Sequence, residues 1–218
     1  MSVKKAAWVA LCFEGFEFME AILQSPTKSL MVGIVWAAVM AGLYVVLGGA
    51  IDAEFLRFIT RFIHVVAAIV FIGLAWFVNF IMLPANYEQD MEGKKVIAKS
   101  FAPRAIWWIR HSSTLTVLAG GSLMVQNGYF MDAISLGAWE GFAVPKHILL
   151  GLGIWLAIIM WSIVHMVIWP NMQVMLGIRE GDMEAKGIAR IKVRNGARRN
   201  LMLAMPVIFL MVAAQNIF

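Results

Sequence analysis

PKHILLGLGIWLAIIMWSIVHMVIWP, residues 145–170, carries one charged side chain, Lys146, and a histidine near each end, His147 and His165. At about 1.5 Å per residue, a helix of this length covers the ~30 Å hydrocarbon core of a bilayer. Four further apolar runs, at 29–50, 62–84, 105–126 and 201–218, approach or exceed the ~18 residues a crossing needs. Composition agrees, with 61% hydrophobic residues, 14% charged and a mean hydropathy of +0.80. The alternating pattern of a barrel is absent, so in lipid these segments satisfy their backbone as helices. The expected fold is all-α: an integral membrane bundle of five transmembrane helices over 28–218, preceded by an N-terminal interfacial segment, 1–27.

That first segment, AAWVALCFEGFEFMEAIL at 6–23, sets Glu14, Glu17 and Glu20 at intervals of three. Three carboxylates on one helical stripe are costly at the bilayer centre, which favours a helix lying in the interface or against a partner. The glutamates interrupt the apolar run and no small-residue cleavage site follows, so a cleaved signal peptide is not expected. Cys12 is the only cysteine, which excludes an intrachain disulfide, a thiolate cluster and a covalently attached c-type haem.

The formal net charge of +5 reports topology rather than nucleic-acid binding. Lys4, Lys5, Lys28, Lys94, Lys95, Lys99, Arg104 and Arg110 and the basic residues from Arg179 to Arg199 fall on one side of the spans, whereas Arg57, Arg61 and Lys146 fall on the other. The positive-inside rule then places the N-terminus in the cytoplasm and the C-terminus outside. The connection GIREGDMEAKGIARIKVRNGARRN, 177–200, reads as a topology anchor touching anionic lipid heads, either continuing the fourth helix as a stalk or forming a short surface helix. Pro103 and Pro145 mark helix starts, Pro84 and Pro170 helix exits, and Pro206 a kink.

All four histidines, His64, His111, His147 and His165, belong to apolar spans or their edges. On an unbroken helix eighteen residues at about 100° each make five turns, so His147 and His165 share a face about 27 Å apart. Each leaflet then holds two imidazoles from different helices, His64 with His147 in the outer and His111 with His165 in the inner. Facing neutral imidazoles in an apolar slot are what bis-histidine ligation of a haem b requires. Two haems are expected, with one as the smaller count. Arg57 and Arg61 near one pair, and Arg104 and Arg110 near the other, are the candidates to neutralise propionates. A small metal ion held by the same pairs would be short of ligands.

Four stretches together, RFIHVVAAIVFIG (61–73), WWIRHSSTLTVLAGG (107–121), HILLGLGIWLAIIMWSIVHMVIWPNMQ (147–173) and RRNLMLAMPVIFLM (198–211), resemble the membrane domain of the bacterial cytochrome c-linked urate hydroxylases. The resemblance covers about residues 57–217, and its most specific parts are IWPNMQ and the RRN…MP element. It implies that His64 and His147 are site residues. The chain departs from the family pattern at His111 and His165, and the fused cytochrome c domain is missing, so the electron partner is expected to be a separate chain.

The function these residues suggest is a membrane-bound b-type cytochrome carrying electrons across the bilayer. Its expected partners are membrane lipid and a separate c-type cytochrome or larger oxidoreductase complex, with a quinone as a further candidate and no nucleic acid. The alternatives are a structural or assembly subunit whose histidines act as hydrogen-bonding glue, or, through the resemblance alone, a urate-oxidising protein.

Overall fold

The computed structural model describes residues 19–217. Most of the expected interfacial segment, including Cys12, Glu14 and Glu17, lies outside the described residues. Every regular element among the described residues is helical. The chain divides into two units, Met1–Phe55 and Leu56–Phe218, each described by itself.

In the first unit, helix α1 (Pro26–Val46) begins where sequence rules put it: the Ser25 side chain accepts from the Lys28 N–H and Pro26 occupies the first turn. Its 21 residues include none that is buried, as suits a helix apolar on every side. Gly48 has φ +98°, and the Tyr44 ring stacks on Phe55 with centroids 5.6 Å apart. Asp52 then caps the next helix, its Oδ1 accepting from the N–H groups of Glu54 and Phe55 at 3.0 and 2.9 Å.

The second unit is built from long rods interrupted by π-helical turns. Helix α2 (Ala53–Phe77) runs through a π segment, Val78–Met82, into α3 (Leu83–Glu88). Helix α4 (Met91–Val96) runs through Ile97–Phe101 into α5 (Ala102–Gln126). After the short α6 (Phe130–Ile134), α7 (Pro145–Ser162) runs through Ile163–Ile168 into α8 (Trp169–Met175). Helix α9 (Met183–Asn216) completes the unit, its start capped by the Asp182 carboxylate on the Ala185 N–H at 2.7 Å.

Each of these three π segments is followed by one residue and then a proline: Pro84, Pro103 and Pro170. Proline has no N–H to give and its ring crowds the carbonyl four residues back, and a turn widened by one residue relieves both. The prolines therefore do not end helices. The rods continue past Pro84 to Glu88 and past Pro170 to Met175, and the third begins at Met91 rather than Pro103. The basic connection belongs to the fifth helix from Met183 onward, not to the fourth.

Among the described residues, four helical stretches are long and apolar enough to cross a membrane: Pro26–Val46, Ala53–Glu88, Pro145–Met175 and Met183–Asn216. These are the helices of a membrane protein. The run expected at 105–126 is helical but is not among the four, because Arg110, His111, Ser112, Ser113, Thr114 and Thr116 dilute it. Its hydroxyls turn inward on their own helix: Ser112 Oγ donates to the Trp108 carbonyl at 2.7 Å and Thr116 Oγ1 to that of Ser112 at 2.8 Å.

One core joins Phe71, Ile106, Met160, Val164, Ile168, Met172, Ala204 and Val207; another joins Met124, Ala133, Leu150 and Ala214. The α7–α8 rod lies close along α9 because small residues clear the seam. A Cβ at Gly153 would come within 3.2 Å of Leu210, and one at Gly196 within 2.8 Å of Ile168.

Candidate functional site

Between α2, α5, α7 and α9 lies a cavity of about 520 Å³, inside the roughly 300–1,000 Å³ typical of cofactor and small-molecule sites. Its depth is apolar, with Phe71, Ile72, Met160 and Val207 on the wall, while Arg61, Asn127, Gln215 and Asn216 line it near the end where α2 begins and α5 and α9 finish.

His64 is the one histidine on this wall. Its Nδ1 lies 2.8 Å from the main-chain carbonyl of Thr116. A carbonyl only accepts, so Nδ1 carries the proton and Nε2 is left as a lone-pair donor. Gly120, one turn on from Thr116, makes the approach feasible: a Cβ there would lie 2.9 Å from Cε1 and 3.2 Å from Nδ1, but 3.9 Å from Nε2. The Nδ1–Cε1 edge thus faces α5, and Nε2 is turned farther from it. An imidazole held through one nitrogen by a carbonyl, with the other free, is the usual arrangement of a metal-ligating histidine.

His147 stands elsewhere. Its Nδ1 is 2.6 Å from Glu140 Oε1, its ring packs on Tyr129 at 5.1 Å between centroids, and it is not on the cavity wall, although Tyr129 is. Asp132, Glu140 and His147 bring their ligand atoms within 4.8 Å of one another. His165 faces α5. Trp161 Nε1–H donates to Thr114 Oγ1 at 3.1 Å, the hydroxyl donates on to His165 Nε2 at 3.2 Å, and His165 Nδ1–H donates to the Trp161 carbonyl at 3.0 Å. Both ring nitrogens are occupied. His111 is exposed, with Nδ1 2.7 Å from the Trp107 carbonyl.

His147 and His165 therefore do not present one face to a common partner. His165 sits inside the π segment Ile163–Ile168, whose wider turn breaks the 100° phase that spacing on a regular helix assumes. Of the four arginines expected near propionates, Arg61 lines the cavity and Arg57 lies one turn before it on α2. Arg104 is exposed, and the Arg110 guanidinium lies over the Trp169 ring at 4.0 Å, its Nε buried without a hydrogen-bond partner.

Thr116, Gly120, Tyr129 and Glu140 are absent from the sequence-based set. Only the pair Gly120–Gly121 within an apolar helix marks a place where something must approach closely; a backbone carbonyl leaves no trace in side-chain identity. Compared with protein-family models, curated proteins and solved structures, the chain returns no match.

Proposed function

We propose that this chain is a membrane-bound b-type cytochrome that binds one haem b in the cavity between α2, α5, α7 and α9, where His64 Nε2 would hold its iron. The observation that carries the reading is the His64 geometry: a cavity-lining imidazole whose Nδ1 proton is fixed on the Thr116 carbonyl at 2.8 Å. The donor set fits the group. The wall is apolar, one neutral imidazole nitrogen is available, and Arg61 with Asn127, Gln215 and Asn216 would hold propionates at the polar end. Bound there, the haem supplies a one-electron carrier. The Thr116 carbonyl makes Nε2 a stronger donor and fixes the ring plane. Phe71, Ile72 and Val207 exclude water, which favours the less charged redox state.

In this reading α5 also crosses the bilayer, giving five crossings in a bacterial inner membrane with the N-terminus cytoplasmic. The polar end of the cavity then faces the periplasm, where a separate c-type cytochrome is the natural partner, and a quinone is the candidate on the other side. His111 and His165 do not carry a second haem. His165 serves as the clamp between α5 and the α7–α8 rod, since both its nitrogens are engaged.

Reduced-minus-oxidised spectra with pyridine-haemochrome quantitation test the proposal. One haem b per chain is expected, lost in His64→Ala and retained in His165→Ala. Protein purified without any b-type absorption overturns it and leaves the structural-subunit reading.

A further inference from the structure

The end of the bundle that carries the basic residues holds a second cavity, of about 150 Å³. All four rods of the second unit wall it, and every π segment contributes: Val78 and Met82 from the first, Ile97 and Ala98 from the second, Ile168 from the third. No aromatic side chain and no histidine lines it, so a planar cofactor has nothing to stack on or ligate to. Methionines at 82, 172 and 175 give it an adaptable surface suited to a flexible chain. Its only polar side chains are Asn86 and Arg194. Arg194 is the middle member of a row, Arg190, Arg194 and Arg198, at four-residue spacing on α9. Among the described residues, none of these three arginines forms an ion pair with a carboxylate.

We infer that this cavity takes a short segment of one acyl chain of an anionic phospholipid, with the lipid phosphate on Arg194 and its neighbours in the row. A small apolar volume lined by one guanidinium that no carboxylate pairs selects an amphiphile of that kind: the chain segment is drawn in by burial and the phosphate by charge-assisted hydrogen bonds. The widened turns before Pro84, Pro103 and Pro170 give the cavity a function, since π turns recur at binding sites.

Native mass spectrometry of the full chain in detergent tests this, titrating phosphatidylglycerol against phosphatidylcholine of equal chain length. One phosphatidylglycerol per chain should persist, with phosphatidylcholine about tenfold weaker, because both lipids offer the same phosphate but the choline ammonium places a like charge beside the Arg190, Arg194 and Arg198 row. Arg194→Gln should abolish that preference. Ala98→Phe or, should that variant not accumulate, Ala197→Leu should fill the cavity and weaken both lipids while Arg194 stays in place. Inorganic phosphate should not compete. Equal retention of the two lipids by the unaltered chain, an unchanged preference in Arg194→Gln, or displacement by phosphate alone with wild-type binding in the filled variants would each overturn the inference.

Discussion

Trp161 and His165, one turn apart on the same rod, are joined twice: their rings stack at 4.6 Å with 28° between planes, and His165 Nδ1–H donates to the Trp161 carbonyl at 3.0 Å. Trp107 and His111 on the neighbouring rod repeat the arrangement, with rings 4.2 Å apart at the same 28° and Nδ1 on the Trp107 carbonyl. In both, the main-chain carbonyl at i−4 fixes the imidazole's tautomer and the stacked indole its orientation. What differs is the other nitrogen: His165 Nε2 meets Thr114, whereas His111 is exposed. One local motif thus yields a clamp between helices in one place and a surface group in the other.

Thr114 is the centre of that clamp, taking the Trp161 N–H and giving its own proton to His165. Thr114→Val keeps the shape and strands two half-buried polar groups. A loss of about 1–3 kcal/mol is expected, read as a lower melting temperature in detergent, with Thr114→Ser restoring most of it. Haem content should not change in either variant.

Gly120 and Gly121 make a controlled pair. A methyl at Gly120 would sit 2.9 Å from His64 Cε1, whereas one at Gly121 meets nothing within 4 Å. Gly120→Ala should push the imidazole off the Thr116 carbonyl, costing about 1–3 kcal/mol as overpacking does and diminishing or shifting the b-type absorption. Gly121→Ala should gain about 0.5–1 kcal/mol from helix propensity and leave the spectrum alone. Identical spectra and melts for the two variants would remove His64 from the site.

The sequence located the helices but not their lengths. Hydropathy sees only the stretch that suits hydrocarbon, so 62–84 and 148–169 stand out while the structure carries the rods to Ala53–Glu88 and Pro145–Met175. Pro84 and Pro170 read as exits because proline breaks an α-helix; that a π turn absorbs each depends on packing, which a string of residues does not display. His64 was legible as an imidazole in an apolar span. The separation of His147 from it was not, because Asp132 on the short α6 and Glu140 in the tight turn Ala138–Glu140 are placed by a connection that depends on positive φ at Leu136 and Phe142. Such backbone values are rare in non-glycine residues, and side-chain chemistry does not announce them.

Asn200, 3% exposed, donates from Nδ2 to the Met160 carbonyl at 3.2 Å, and its Oδ1 has no partner. The Met160 carbonyl also receives the Ile163 N–H, so removing Asn200 leaves no orphan behind. Asn200→Leu gives up one hydrogen bond of about 1 kcal/mol and releases a buried acceptor that loses about as much by staying dry. Its melting temperature should be unchanged or higher. Asn200→Asp would bury a charge at the same point and should fail to accumulate.

The π segment Ile163–Ile168 holds one residue more than an α-helical path needs, so deleting a residue there differs in kind from deleting one in α7. Removing Val167 lets the widened turn close to α geometry while Trp169 and the residues after it keep their phase against α9. Removing Ile158 turns everything on one side of the deletion by about 100°, which takes Met160, Val164 and Ile168 away from the core they share with Ala204 and Val207. The Val167 deletion gives up the relief the wide turn offers Pro170, about 3 kcal/mol, but keeps the core in phase, so it should accumulate in membranes and melt cooperatively at a lower temperature. The Ile158 deletion should be degraded. Equal loss of both would mean that the wide turn is needed for the packing of the rod itself, and equal tolerance that the core does not hold the rod's phase.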